Sequence, residues 1–183
     1  MAYDALRGVV VMFGGLDTTG YPGNQTWEYD GTGWARGAAP ASGLERRVEH
    51  ALVYDERRAR IVLFGGYGGI GTFLRDTWDY DGTSWVERPT GAMGLTSREE
   101  HAMVYDDARR RVVLFGGWDE DGDVRNDTWE FDGATWTPGP AAPPGLTPRW
   151  RHAMAHDGAR QRSVVFGGMD NVGMRNDTWE YDG

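Results

Sequence analysis

A chain that repeats itself every fifty-one residues has few folds open to it. Gly-Gly stands at Gly14-Gly15, Gly65-Gly66, Gly116-Gly117 and Gly167-Gly168, each step 51 residues. Thr-Trp follows at Thr26-Trp27, Thr77-Trp78, Thr128-Trp129 and Thr178-Trp179, with steps of 51, 51 and 50. A second Trp recurs at Trp34, Trp85 and Trp136, and a His at His50, His101 and His152. A unit of this length cannot bury its own apolar faces, so it must stack on copies of itself.

Within one repeat the periodicity is that of strands. HALVYD or HAMVYD forms a first strand, and an Arg-rich turn follows at 55–60 and 106–111. IVLFGG and RVVLFGG are nearly continuous apolar runs, suited to a strand covered on both faces. DTWDYDG and DTWEFDG alternate like a half-buried strand. Asp81-Gly82 and Asp132-Gly133 then make tight turns, and a fourth strand starts near the second Trp. A Pro- and Gly-rich stretch such as TPGPAAPPGLTPR returns to the next His. Four-stranded units with both faces apolar, stacked about an axis, give an all-β fold of the propeller type.

These features resemble the kelch repeat: a double glycine after an apolar strand, then Tyr or Phe, then Trp, as in YDGTSW (80–85) and FDGATW (131–136). The likeness to bacterial-type kelch repeats covers almost the whole chain. It implies a β-propeller of four-stranded antiparallel blades, with the first strand of each blade lining the channel. Propellers of that family usually have about five to seven blades, whereas this chain supplies about three and a half. The blades are expected at 1–46 (beginning late), 47–97, 98–148 and 149–183 (without a last strand). Three arrangements follow: a closed four-bladed ring, a ring shared by two chains, or part of a larger propeller. The unpaired end faces favour a homodimer.

Composition removes several functions. The net charge of −9 opposes a nucleic-acid backbone as partner, because phosphates need a basic surface. With no Cys there is no thiolate chemistry, and a reducing, cytoplasmic setting is the expectation. All 19 basic residues are Arg, which removes Schiff-base and P-loop lysines. No apolar run is long enough to span a membrane, and MAYDALRGVVVMFGG does not read as a signal peptide, since it matches internal segments. No GxSxG or HExxH motif is present. The copper-oxidase type of kelch-like propeller needs a Cys–Tyr crosslink that this chain cannot make. The expectation is a non-catalytic scaffold without cofactor that recognises a protein or small ligand through its rim loops; the alternatives are a truncated or engineered repeat array whose property is assembly, and an enzyme or metal-binding propeller using the channel mouth.

Candidate contacts lie in the variable loops after each glycine pair, which resemblance places on one rim together with the loops between blades. Tyr21, Tyr67, Phe73 and Trp118 are the aromatic candidates for holding a protein or small ligand. Arg75, Arg125 and Arg175 recur before Asp76, Asn126 and Asn176; they could grip carboxylates or phosphates, or pair with Asp76, Asp127 or Asp177. Arg98 and Arg149, with Arg47, form a second series three residues before a His. His50, His101 and His152 are weak metal candidates, since equivalent imidazoles can converge on an axis. Asp119, Asp121 and Asp123 alternate like a calcium loop but lack its glycine, Val124 standing there, and read as a solvated acidic loop. His156 replaces the Tyr of the other Tyr-Asp pairs.

Overall fold

The computed structural model describes residues 1–183, in which every regular element is a strand. The first blade pairs β1 (Ala2–Asp4), β2 (Val9–Phe13), β3 (Thr26–Tyr29) and β4 (Trp34–Arg36) in sequence order, all antiparallel. The second does the same with β5 (Ala51–Asp55), β6 (Arg60–Gly69), β7 (Thr72–Tyr80) and β8 (Trp85–Arg88). In the third, β9 (Arg98–Glu99) pairs with β12 (Trp118–Asp119). The main sheet there is β10 (Ala102–Asp106), β11 (Arg111–Phe115), β13 (Thr128–Phe131) and β14 (Trp136–Pro138). The fourth has β15 (Ala153–Asp157), β16 (Arg162–Phe166) and β19 (Thr178–Tyr181), with a small hairpin of β17 (Met169–Asp170) and β18 (Gly173–Met174). These are four blades of a β-propeller. The first strands touch in series, β1 on β5, β5 on β10 and β10 on β15, which makes them the innermost strands.

Each glycine pair is required by backbone contact. Gly65 has φ +62°, and a Cβ there would lie 2.6 Å from the Arg98 carbonyl oxygen of the next blade. Gly66 has φ +98°, and its Cβ would lie 2.7 Å from the Cβ of His50. Only a residue without a side chain fits both positions.

Successive blades meet through the same parts. Phe13 packs on Trp85, and Phe64 on Trp136. The indole Nε1 of Trp85 donates to Thr26 Oγ1 and that of Trp136 to Thr77 Oγ1, both at 2.9 Å. Leu44, Leu95 and Leu146, from the loops between blades, plug the junctions. Lower down, Arg7, Arg58 and Arg109 each pair with an acid of their own blade and lie over an aromatic ring of the next, respectively Tyr80, Phe131 and Tyr181. Such guanidinium–ring contacts add to the apolar burial.

The four blades do not close on themselves. Phe166 is 52% exposed, whereas its counterparts Phe13, Phe64 and Phe115 are at most 3% exposed. At the opposite end Trp34 is 47% exposed, against 4% and 3% for Trp85 and Trp136. Both halves of a blade junction are therefore open. This departs from the closed four-bladed ring among the sequence expectations.

Candidate binding face at the rim

The loops after the glycine pairs and the loops between blades share one end of the molecule. There the backbone links neighbouring blades around the channel: Glu100 N donates to Glu49 O at 2.9 Å, and Arg151 N to Glu100 O at 3.0 Å. All three residues have positive φ, 55° to 57°, a strained setting for side chains with a Cβ and one often associated with function.

The buried arginines are committed to the blades. Arg98 donates to both carboxylate oxygens of Asp127 (2.7 and 2.9 Å) and to the Gly116 carbonyl. Arg149 does the same with Asp177 and Gly167, and Arg47 with Asp76 and Gly65. The same aspartates accept the indole N–H of Trp78, Trp129 and Trp179. All three guanidinium groups are fully buried, so Arg98 and Arg149 present no face to a ligand. The reason is geometric: these arginines precede the first strand and turn back under the glycine pair.

The other arginine series is rearranged as well. Arg125 pairs with Asp119 and Arg175 with Asp170, within their own loops, and Asp76, Asp127 and Asp177 are already taken. Arg125 also lies 4.0 and 3.8 Å from Asp121 and Asp123, offsetting part of the charge of the acidic loop that resembles a calcium site. Arg75 does not belong with them. The carbonyls of Leu74, Arg125 and Arg175 approach the first glycine of their respective pairs in the same way, so Leu74 is the equivalent residue. Gly68 stands where Asp119 and Asp170 do, and the polar pair has been lost as a unit. Arg75 is exposed and makes no side-chain hydrogen bond or ion pair.

The aromatic candidates differ in setting. Tyr21 is exposed in a turn capped by Asp17, whose carboxylate accepts the N–H groups of Thr19 and Tyr21. Tyr67 and Phe73 face each other edge-on at 5.6 Å in the β6–β7 hairpin, and the Tyr67 hydroxyl accepts the Gly71 N–H. Trp118 is part-exposed beside Trp150, ring centres 5.8 Å apart.

The three histidines lie one per blade junction, each edge-on to the Phe of the preceding blade. Burial, and then the nearby arginine, lower their pKa values, His50 to about 3 and His152 to about 4; His101 is lowered well below the usual value by the same causes. They are neutral and do not converge: the one group of three potential metal ligands within 4.8 Å is Asp106, Asp107 and His156.

A feature not anticipated from the sequence is a carboxylate group at the channel mouth. Burial, and then Glu49 and Glu100, push the Glu99 carboxyl up to about 8, and its Oε2 is buried without a partner. Glu99 pairs through its backbone with Trp118, so the acids adjoin the Trp118–Trp150 pair. Arg151 answers part of this charge through Glu100 (2.6 Å). The signal available in the sequence was Glu49, Glu99 and Glu100 directly ahead of the histidines. This mouth offers a tilted pair of indoles beside crowded carboxyls, one of which keeps its proton at neutral pH until a positive charge arrives to pair with it, a setting for a cationic group.

The KLHDC2/KLHL20/DRC7 Kelch-repeats domain matches residues 2–182. "Mei4-dependent protein 6" of Schizosaccharomyces pombe is 35% identical over 100 residues, covering 49% of this chain and 14% of the relative. Among solved structures, "Structure of YjhT" superposes with a TM-score of 0.71 at 17% identity, covering 92% of this chain and 58% of that one. The chain thus spans a small part of the curated relative and just over half of the solved propeller. With the glycine pairs, the Trp–Thr links between blades and the family match in agreement, the chain belongs to the kelch-repeat family of β-propellers.

Proposed function

We propose that the chain is a non-catalytic protein-recognition scaffold whose contact face is the channel mouth and its rim loops. The observation that carries this reading is the Glu49–Glu99–Glu100 group beside the part-exposed Trp118. A partner presenting a Lys- or Arg-bearing segment would displace the proton held on Glu99, pair with the acids and stack on the indole. Tyr67, Phe73, Tyr21 and the unpaired Arg75 extend the face outward. The one Ser–His–Asp series is no nucleophile: Ser163, His156 and Asp107 are hydrogen-bonded in series, but Ser163 is fully buried. The test is retention on immobilised basic and acidic peptides. Basic peptides should be held by the wild type and lost on Trp118→Ala with Glu99→Gln, without a change in far-UV circular dichroism; retention of acidic peptides instead would reject the reading.

The two end faces support a second element of the proposal. Phe166, Thr178, Glu180 and Arg160 on one, and Trp34 and Tyr29 on the other, repeat the residue types that meet at the internal junctions. The 183-residue chain by itself is therefore expected to associate head to tail, Trp34 of one copy seated on Phe166 of the next.

A further inference from the structure

We propose a zinc-binding site formed by His156, Asp107 and Asp106, at the end of the blades opposite the rim. In the other three blades the place of His156 is taken by Tyr3, Tyr54 and Tyr105. The hydroxyls of Tyr54 and Tyr105 accept a backbone N–H from the turn of the preceding blade, each at 3.3 Å. His156 reaches the same turn but ends on carboxylates. Its Nε2 lies 2.9 Å from Asp107 Oδ1 and 4.0 Å from Asp106 Oδ1, and the donor atoms all fall within 4.8 Å of one another.

Those separations suit a small four-coordinate ion. With bonds of about 2.0–2.1 Å, tetrahedral ligand atoms sit roughly 3.3 Å apart, between the two distances observed. The ring is also held for the purpose. Its Nδ1 lies 3.2 Å from the hydroxyl of the fully buried Ser163; with Nδ1–H donating to that oxygen, the Nε2 lone pair points at the two acids. Asp106 Oδ1 already accepts the Arg109 backbone N–H at 2.8 Å, and its Oδ2 the Arg109 Nε at 2.9 Å. A carboxylate oxygen has a second lone pair, so Oδ1 retains one for a metal. Asp107 is half exposed and lines a groove of about 350 Å³ with Glu56, Arg57, Tyr105 and Arg110, so an ion and its remaining water ligands reach the site from the Asp107 side. One imidazole with two carboxylates favours zinc or a similar transition ion over magnesium or calcium.

Without metal, the same geometry is a simple hydrogen bond between His156 and Asp107, and zinc uptake separates the two. Equilibrium dialysis of the whole chain against zinc at neutral pH should load one ion per chain. His156→Tyr installs the residue of the other three blades and so keeps the blade intact; Asp107→Asn changes a half-exposed position. Each should weaken zinc binding about tenfold or more and remove the rise in Tm that zinc gives the wild type. No uptake by the wild type, or uptake by either variant equal to that of the wild type, would overturn the site.

Discussion

The Arg98–Asp127 pair allows the sharpest test of how a blade is held together. Arg98 is wholly buried and makes two bonds to Asp127, one to the Gly116 carbonyl (3.0 Å) and one to Thr96 Oγ1 (3.0 Å). Breaking a buried ion pair from one side costs about 3–5 kcal/mol. The Asp127 side chain is 35% exposed, so water resolvates it when Arg98 is removed, and the lower end applies. The orphaned Gly116 carbonyl adds about 1 kcal/mol. Arg98→Met is therefore expected to cost about 3–4 kcal/mol in urea unfolding at pH 7. Asp127→Asn should cost as much or more, because it strands the fully buried partner. The double variant should fall short of the sum by about 2 kcal/mol. A pH series adds a second reading. Burial by itself raises the Asp127 pKa, but hydrogen bonds and charge from Arg98 outweigh it, and the net shift is downward. A depressed folded pKa contributes stability above the unfolded value, near 4, which is lost as pH falls through the folded value. The gap between wild type and Arg98→Met should then narrow in acid. A cost for Arg98→Met below about 1 kcal/mol, or a gap independent of pH, would refute the assignment of Arg98 to the scaffold.

Other outcomes follow from the same contacts. Trp136→Ala should destabilise by about 3–5 kcal/mol, since it empties a junction and removes the indole donor to Thr77 Oγ1, whereas Trp34→Ala on the open face should cost under about 1 kcal/mol in the monomer; calorimetry compares them. Glu99 carries a raised folded pKa, so the folded state keeps a proton that the unfolded chain loses near pH 4.5, and stability falls as pH rises from there to about 8. Glu99→Gln should therefore raise Tm relative to wild type at pH 9 and much less at pH 5, read by thermal melts. Phe166→Glu should hold the isolated chain in its monomeric form by light scattering, while the wild type shows a larger, concentration-dependent mass; equal monomeric masses would remove the head-to-tail contact.

The amino-acid sequence by itself determined the blade. The 51-residue period, the double glycines at positive φ, the alternation in DTWDYDG and the recurring Trp are local patterns, and local patterns specify strands, turns and which faces must be covered. The rim was legible in outline, because variable loops after the glycine pairs stand out against a regular scaffold. What only the tertiary structure decided is how charged side chains are paired. Arg98 and Asp127 are 29 positions apart, and Glu49 and Glu99 belong to different blades, so neither spacing nor composition reveals that one pair is buried and the other group crowded. The 51-residue step itself carries Arg125 back onto Leu74 rather than Arg75, and the carbonyl contacts at the glycine pairs agree. His156, a mere departure from Tyr along the chain, becomes a candidate metal ligand because the preceding blade brings Asp106 and Asp107 to its ring. Secondary structure follows from neighbours along the chain, whereas the chemistry of these sites depends on neighbours across blade junctions, where the repeat sets the distance but not the partner.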